Sequence, residues 1–305
     1  MKRLIGRVVQ AVAPRFVLRA VVPRLPNRLL IPLLRHYPYL THYVGPGRDI
    51  IFSKYVGDLS VHIDPSNGIE CAMLSGYEPD LARAFARFVK PGSCCIDIGA
   101  NVGAATLHLA KLVGPEGRVV AVEPGPPYCE RMRQNIDLNP HLRDRITLVN
   151  GGVGAEAGTL RWQADPNAPY NAVLIDQKPW SSAGAEVPVA VETLDQLVTR
   201  LSLRQVGFIK IDVESMELEV FRGAIETLRT SRPAVVFESM DWARDYRRKV
   251  SGIDIFAEID ALLRSVGYST HEILADGTVR PVSLLSSHPD NTLALPDPVP
   301  GTPLP

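Results

Sequence analysis

No aspartate or glutamate occurs before Asp49, although Lys2, Arg3, Arg7, Arg15, Arg19, Arg24, Arg28, Arg35 and Arg48 all do. Over the whole chain the two signs balance, 33 basic against 33 acidic residues in 305, so no global field argues for a nucleic-acid partner. Long apolar runs are missing: none reaches the roughly 20 residues that a bilayer span needs. Arginines interrupt every apolar stretch near the N-terminus, which excludes the pattern of a secretory signal. Cysteine is scarce as well. Cys71, Cys94, Cys95 and Cys129 show no metal-ligand spacing, and adjacent Cys94 and Cys95 lie inside a predicted strand. Reduced thiols in a cytoplasmic protein are the expectation.

What is present at the N-terminus is helical periodicity with a basic face: Leu4, Ile5, Val8, Val9 and Val12 are apolar, with Lys2, Arg3 and Arg7 between them. Pro14, Pro23, Pro26 and Pro32 are expected to break the rest of the basic region into short pieces. Such a segment, residues 1–35, could lie on an anionic membrane surface or pack on its own domain with its arginines solvated. The chain therefore divides into a basic extension (1–48), a main domain (49–296, opening with a hairpin and helix over 49–92) and a proline-rich tail (297–305) expected to be disordered.

Within the main domain, Ile50–Phe52 and Leu59–Ile63 predict the hairpin, and the helix begins near Glu78-Pro79. Strands then alternate with helices. Strands are expected at 94–98, 118–123, 146–150, 207–213 and 234–237, with helices at 102–113, 126–138, 215–229 and 253–266 and another through Leu194, Leu197 and Leu201. That alternation defines an α/β doubly wound, mostly parallel sheet. Segments 158–163 and 187–192 read as an inserted β pair, joined by a loop holding Asn167, Tyr170, Asn171 and Trp180. Two final strands, 268–274 and 291–295, are placed as an antiparallel edge hairpin.

The first strand of that sheet runs into a glycine loop, Cys95-Ile-Asp97-Ile-Gly99-Ala-Asn101-Val-Gly103, and the second ends on Glu123. In a parallel sheet this is where an adenosine-containing cofactor lies, with the second carboxylate placed for ribose hydroxyls. The spacing is not the G-x-G-x-x-G that receives a pyrophosphate, which disfavours a nicotinamide oxidoreductase. Asp97 would repel a diphosphate but suits the cationic amino-acid end of S-adenosylmethionine. A methyl-donor site is the resulting expectation.

Ligands of open α/β sheets bind beyond the carboxyl ends of the strands, where the polar residues are Asp97, Asn101, Glu123, Asn150, Asp212, Glu214, Glu238 and Ser239. A neutral hydroxyl is a poor nucleophile and needs a base or a Lewis acid. Asp212 and Glu214 are the first candidates for base, followed by Glu217, one helical turn on from Glu214; Glu217 fits a helix first turn equally well as a cap. Glu238, at the end of the adjacent strand, could join Asp212 in holding a cation such as magnesium, but two carboxylates are a weak metal signal and no metal site is expected. His62 and Asp64, in the hairpin, carry less weight.

Several separated motifs, taken jointly, resemble the FkbM family of S-adenosylmethionine-dependent methyltransferases. They are Gly76-Tyr-Glu78-Pro; Ile96-Asp-Ile-Gly-Ala-Asn-Val-Gly103; Gly117-Arg-Val-Val-Ala-Val-Glu-Pro124; Gln134-Asn-Ile-Asp-Leu-Asn139; Glu192-Thr-Leu-Asp-Gln-Leu197; and Ile209-Lys-Ile-Asp-Val-Glu-Ser-Met-Glu-Leu-Glu-Val-Phe-Arg-Gly-Ala224. The resemblance implies a class I methyltransferase fold, Rossmann-like, with a seven-stranded sheet. It implies donor-binding roles for Asp97, Gly99, Asn101, Gly103 and Glu123, around which Ala100, Pro124 and Asn150 complete the expected cofactor set; Asp212, Glu214, Glu217 and Glu238 form the expected catalytic set. It further implies O-methylation of a sugar, glycoconjugate or natural-product hydroxyl. One position departs from the family: Ser215 stands where glycine is usual, and glycine there would permit a positive φ or a close approach. Ser215 could instead cap the following helix. The departure keeps open a second function, a protein that binds the donor without transferring its methyl group.

Overall fold

The computed structural model describes residues 18, 20–37, 40, 43, 44, 48–76, 78–164, 172–175, 186–286 and 288–298. The amphipathic stretch through Val12, the loop residues Asn167, Tyr170, Asn171 and Trp180, and the tail beyond residue 298 lie outside them. Two compact units emerge: Met1–Tyr77 with Asp137–Asn139, and Glu78–Ile136 with Pro140–Pro305. The hairpin that the sequence groups with the main domain thus belongs to the first unit.

In that first unit, helix α1 (Asn27–His36) runs through Pro32 instead of breaking there. The ring sits on the exposed side, and burial of Leu30 and Leu34 on the other face holds the helix together. Strands β1 (Ile50–Phe52) and β2 (Val61–Ile63) pair antiparallel, Ile50 opposite Ile63, as expected from their alternation. Helix α2 (Gly68–Ala72) follows. Asn139 closes on both backbone groups of Ser60, accepting from its N–H at 2.9 Å and donating to its carbonyl at 2.6 Å. Arg48 donates to the carbonyls of Pro23 (2.9 Å) and Leu25. His62 pairs with Asp49 at 2.7 Å, and Asp64 accepts from the Ser66 N–H and hydroxyl, so both are held by local structure.

The second unit opens with helix α3 (Pro79–Phe88) and then alternates β3 (Cys94–Ile98), α4 (Ala104–Leu112), β4 (Arg118–Glu123), α5 (Pro126–Asp137) and β5 (Ile146–Asn150). After the short strand β6 (Gly152–Val153) come β7 (Gly158–Ala164), β8 (Ala172–Ile175) and β9 (Glu186–Glu192), then α6 (Leu194–Arg200) and β10 (Val206–Ile211). Helices α7 (Glu217–Arg222) and α8 (Ile225–Thr230) precede β11 (Ala234–Glu238); α9 (Asp241–Ser251), α10 (Ile255–Ser265), β12 (Tyr268–Ile273), β13 (Val279–Pro281) and β14 (Asn291–Pro296) complete the unit.

Its main sheet has the order β13-β12-β14-β11-β10-β3-β4-β5. Strands β5, β4, β3, β10 and β11 are parallel, and β14 and β12 run antiparallel at the edge, as expected. Strand β13, hairpinned onto β12, adds an eighth. Helices cover both faces, so the central strands are apolar throughout their length: Val119 to Val122 and Phe208, Ile209 and Ile211 are all buried. The inserted pair is part of a separate sheet of order β6-β9-β7-β8. The expected single helix over 215–229 is two, parted at Gly223 and Ala224; Gly223 packs so closely there that a Cβ on it would lie 2.1 Å from the Gly154 carbonyl oxygen. No helix among the described residues is long and apolar enough to cross a membrane.

Candidate active site

The strand order reverses between β3 and β10, the point at which such sheets open a cleft beyond their carboxyl ends. Asp97 and Gly99 leave β3 there, and Asp212 and Glu214 leave β10 beside them. Gly99 has φ +76°, and a Cβ on it would stand 1.7 Å from the Asp212 carbonyl oxygen, so glycine is required where the two strand exits cross. Gly103 (φ +88°) also passes close to the Met132 side chain, and Asn101 adopts a left-handed φ of 50° between the two glycines. Ala100 is buried in the same turn, and Asn135 anchors it by donating to the Val102 carbonyl at 2.8 Å.

Glu123 also shapes the donor loop itself. Its carboxylate accepts backbone N–H bonds from Asn101 at 2.8 Å and Gly125 at 2.7 Å, tying the glycine loop to the exit of β4. Burial lifts its carboxyl to about 7, and the two N–H bonds work against that rise. Asn150 supports the same turn from β5, donating to the carbonyls of Glu123 (3.0 Å) and Pro124 (3.1 Å).

Asp97 is fully buried. One oxygen accepts from the Thr106 hydroxyl at 2.6 Å. The other, Oδ1, lies 3.3 Å from the Lys210 ammonium but has no hydrogen-bond donor aimed at it. A buried carboxylate oxygen left without a donor at the switch point fits the ammonium of an amino-acid moiety. Beside Gly125, the buried Trp162 indole N–H also has no acceptor, with its ring edge-on to Tyr128 at 5.8 Å. On these two observations, the residues fit S-adenosylmethionine: Asp97 toward its amino-acid end, and the Glu123 turn with Trp162 toward its nucleoside.

The carboxylates of the expected catalytic set gather at the ends of β10 and β11. The Asp212 carboxylate stands 3.2 Å from Lys210 Nζ. Burial first, then Asp212, raise Glu214 to about 7, with Lys210 opposing. Glu238 is pushed up to about 9, by burial and then by Asp212, Glu214 and Glu217, and its buried Oε2 lacks a hydrogen-bond partner. Glu217 is almost completely buried and accepts the Val213 N–H at 3.2 Å; burial holds its carboxyl at about 8. Glu217 therefore clamps the turn before α7.

Three members of the site escape sequence reasoning. Lys210 is a mere motif letter in the sequence, yet its side chain is 3% exposed and touches both halves of the cleft. Glu78, before α3, accepts from Asn291 Nδ2 at 2.8 Å, and its carboxyl is raised by burial and by Asp212. Asn291 itself lies opposite Glu238 in the β11–β14 ladder, a pairing between distant segments that periodicity does not signal. Ser215 does not cap α7, whose N-cap is Met216. It takes φ 78° after Glu214 at φ 54°, so the position keeps the left-handed backbone without the usual glycine. Among the described residues no group of three or more His, Cys, Asp or Glu side chains has a geometry able to hold a metal ion.

The profile described as the methyltransferase FkbM domain matches residues 97–270, more than half of the chain. The chain belongs to this family, and it is an S-adenosylmethionine-dependent methyltransferase. Among characterised relatives, it is 26% identical to the methyltransferase sdnD of Sordaria araneosa, over 57% of this chain and 72% of that one. It is 27% identical to the 31-O-demethyl-FK506 methyltransferase FkbM of Streptomyces tacrolimicus, over 59% and 74%. With the hexuronic acid methyltransferase AglP of Haloferax volcanii it shares 24% identity over 52% and 61%. A solved methyltransferase FkbM from Methylobacillus flagellatus superposes with a TM-score of 0.41 at 16% identity, covering 74% of this chain and 52% of that one.

Proposed function

We propose that the protein methylates a hydroxyl oxygen, on an acceptor that is a sugar, a glycoconjugate or a hydroxylated natural product. The observation that carries this reading is the set of carboxylates, Asp212, Glu214 and Glu238, at the strand ends next to the donor loop. Their electrostatic environments differ, which separates their tasks. Glu214, lifted to about 7, is matched to taking a proton near neutral pH, and we assign it as general base. Asp212, ion-paired to Lys210, orients the acceptor. Glu238, which holds its proton to about 9, is a hydrogen-bond donor to the acceptor's oxygens.

When bound, S-adenosylmethionine supplies a methyl group on a positively charged sulfonium. Glu214 takes up the hydroxyl proton, so that the oxygen would receive the methyl group as an ether and the donor would leave as its neutral thioether. Asp97 and the Glu123 turn hold the donor in line, and positioning of this kind is worth several kcal/mol, up to roughly 7–11. The names of two relatives, acting on a hexuronic acid and on an FK506 precursor, favour hydroxylated acceptors of these kinds.

The experiment is incubation with methyl-labelled donor and a panel of glycosides, uronic acids and polyketide alcohols, followed by mass spectrometry of labelled products. O-methyl products that disappear in Glu214→Gln support the reading. Label found on nitrogen or carbon would refute it. Donor binding without transfer to any member of the panel would favour the non-catalytic alternative that Ser215 raises.

A further inference from the structure

We propose that Lys210 is a positioning residue that sets how strongly the transfer site prefers the positively charged donor over its neutral demethylated product. The inference rests on the donor reading above. Lys210 Nζ lies 3.3 Å from Asp97 Oδ1 on the donor side, 3.2 Å from Asp212 Oδ2 on the acceptor side and 3.4 Å from the Gly99 carbonyl between them. Its side chain is 3% exposed and Asp97's is 0%, so water screens this charge little. The same ammonium acts on Glu123 beyond the donor loop and on Glu78, Glu214 and Glu238 around the acceptor. One fixed positive charge thus reaches both halves of the cleft.

The chemistry gives that charge a task. Methyl transfer destroys a positive charge at sulfur, so a site lined only with carboxylates would hold the sulfonium more tightly than the transition state, in which that charge is already fading. Binding concentrated on the ground state in this way slows turnover. Lys210 offsets the attraction of Asp97 and Asp212 where the charge is lost. Taking the ammonium away leaves the carboxylates to favour the sulfonium over the thioether.

Titration calorimetry of the full chain with S-adenosylmethionine and S-adenosylhomocysteine tests this without an acceptor. The readout is the ratio of the two affinities, which a merely structural loss would leave unchanged because it weakens both ligands alike. In Lys210→Met the preference for the charged ligand is expected to rise by about tenfold or more, the effect of one unit charge within ~10 Å at an effective dielectric near 20. Lys210→Arg should hold the ratio near that of the parent protein. Asp212→Asn removes a negative charge instead and should shift the ratio the other way; if Lys210→Met does not fold, Lys210→Gln, which keeps a side-chain N–H for the Gly99 carbonyl but carries no charge, should give the same rise. An unchanged ratio in folded Lys210→Met or Lys210→Gln, or a preference for the sulfonium that does not fall in Asp212→Asn, overturns the proposal while leaving the donor site intact. Failure of the parent protein to bind either nucleoside overturns the donor reading itself, and this inference with it.

Discussion

Arg247, on α9, donates to the carbonyl of Ser215 at 3.0 Å and grips both oxygens of Glu219, at 2.5 and 3.2 Å. The guanidinium thereby straps down the turn in which Glu214 and Ser215 both take left-handed φ values, 54° and 78°. That conformation costs a non-glycine residue roughly 1–2 kcal/mol. Ser215→Gly should therefore stabilise the protein by about 1 kcal/mol, read from urea unfolding. Arg247→Ala should cost about 2 kcal/mol in the parent background, where it orphans a buried carbonyl and a largely buried carboxylate. It should cost measurably less in Ser215→Gly, whose turn no longer needs the strap. Equal costs in both backgrounds would show that the strap and the strain are unconnected.

Glu123 gives a second prediction because both its oxygens face backbone N–H groups. Glu123→Gln presents an NH2 to one of those donors and leaves that side of the loop unpaired. Donor and product affinity should both drop by about tenfold or more, as measured by calorimetry, since a lost charge-assisted bond is worth roughly 1.5–3 kcal/mol. Retained affinity in this variant would mean that the loop holds its shape without the carboxylate.

The parallel sheet, its helices and the edge strands are legible in the sequence because buried strands read as unbroken apolar runs: Val119 to Val122 is a stretch with no competing interpretation. Helix α9 is not legible. Its sequence is mostly charged, and only Ala243 of its residues is buried; ion pairs hold its flank, Arg244 and Arg248 to Asp254 and Arg247 to Glu219. The motif Glu192-Thr-Leu-Asp-Gln-Leu197 looks chemical but is architectural. Thr193 and Gln196 form a capping box, and Asp195 caps α8, accepting from the N–H groups of Glu226 (3.0 Å) and Thr227 (2.7 Å). Asp97, Asp212 and Glu214 could be located from strand ends alone. Lys210 could not, because its neighbours Ile209 and Ile211 make it look like a letter in a core strand, and only the register beside β3 brings its ammonium to Asp97.

The two glycines Gly92 and Gly99 have nearly the same φ, +79° and +76°, but opposite surroundings. Nothing lies within 4 Å of a Cβ built on Gly92, whereas one on Gly99 falls 1.7 Å from the Asp212 carbonyl oxygen. Gly92→Ala should cost only the conformational penalty, about 1–2 kcal/mol. Gly99→Ala should cost more than about 4 kcal/mol, or prevent folding, since two strand exits must separate to admit the methyl. Thermal melts of the pair check this; similar melting temperatures would show that β3 and β10 do not cross as closely as described.

Stability should fall as pH rises through neutrality. Glu217 is held at about 8 and Glu238 at about 9 in the folded protein, with Glu214 and Glu123 at about 7. Their unfolded value is about 4.3. Between these limits the folded chain retains protons that the unfolded chain releases, so unfolding becomes easier with each step up in pH, by about 1.4 kcal/mol per unit for each such proton. Asp254 acts in the other direction, but only in acid: Arg244 holds its carboxyl at about 2, so its contribution is present above about 3.9 and disappears as pH falls toward 2. Maximum stability should accordingly lie near pH 4–5, low for a folded enzyme. Glu217→Gln keeps a side-chain oxygen for the Val213 N–H but has no proton to lose. It should melt higher than the parent protein at pH 8.5, match it near pH 5 and show a shallower decline between. A parent melting temperature that climbs from pH 5 to 8 would mean that these carboxyls are ionised in the fold, and the division of labour between Glu214 and Glu238 would have to be abandoned.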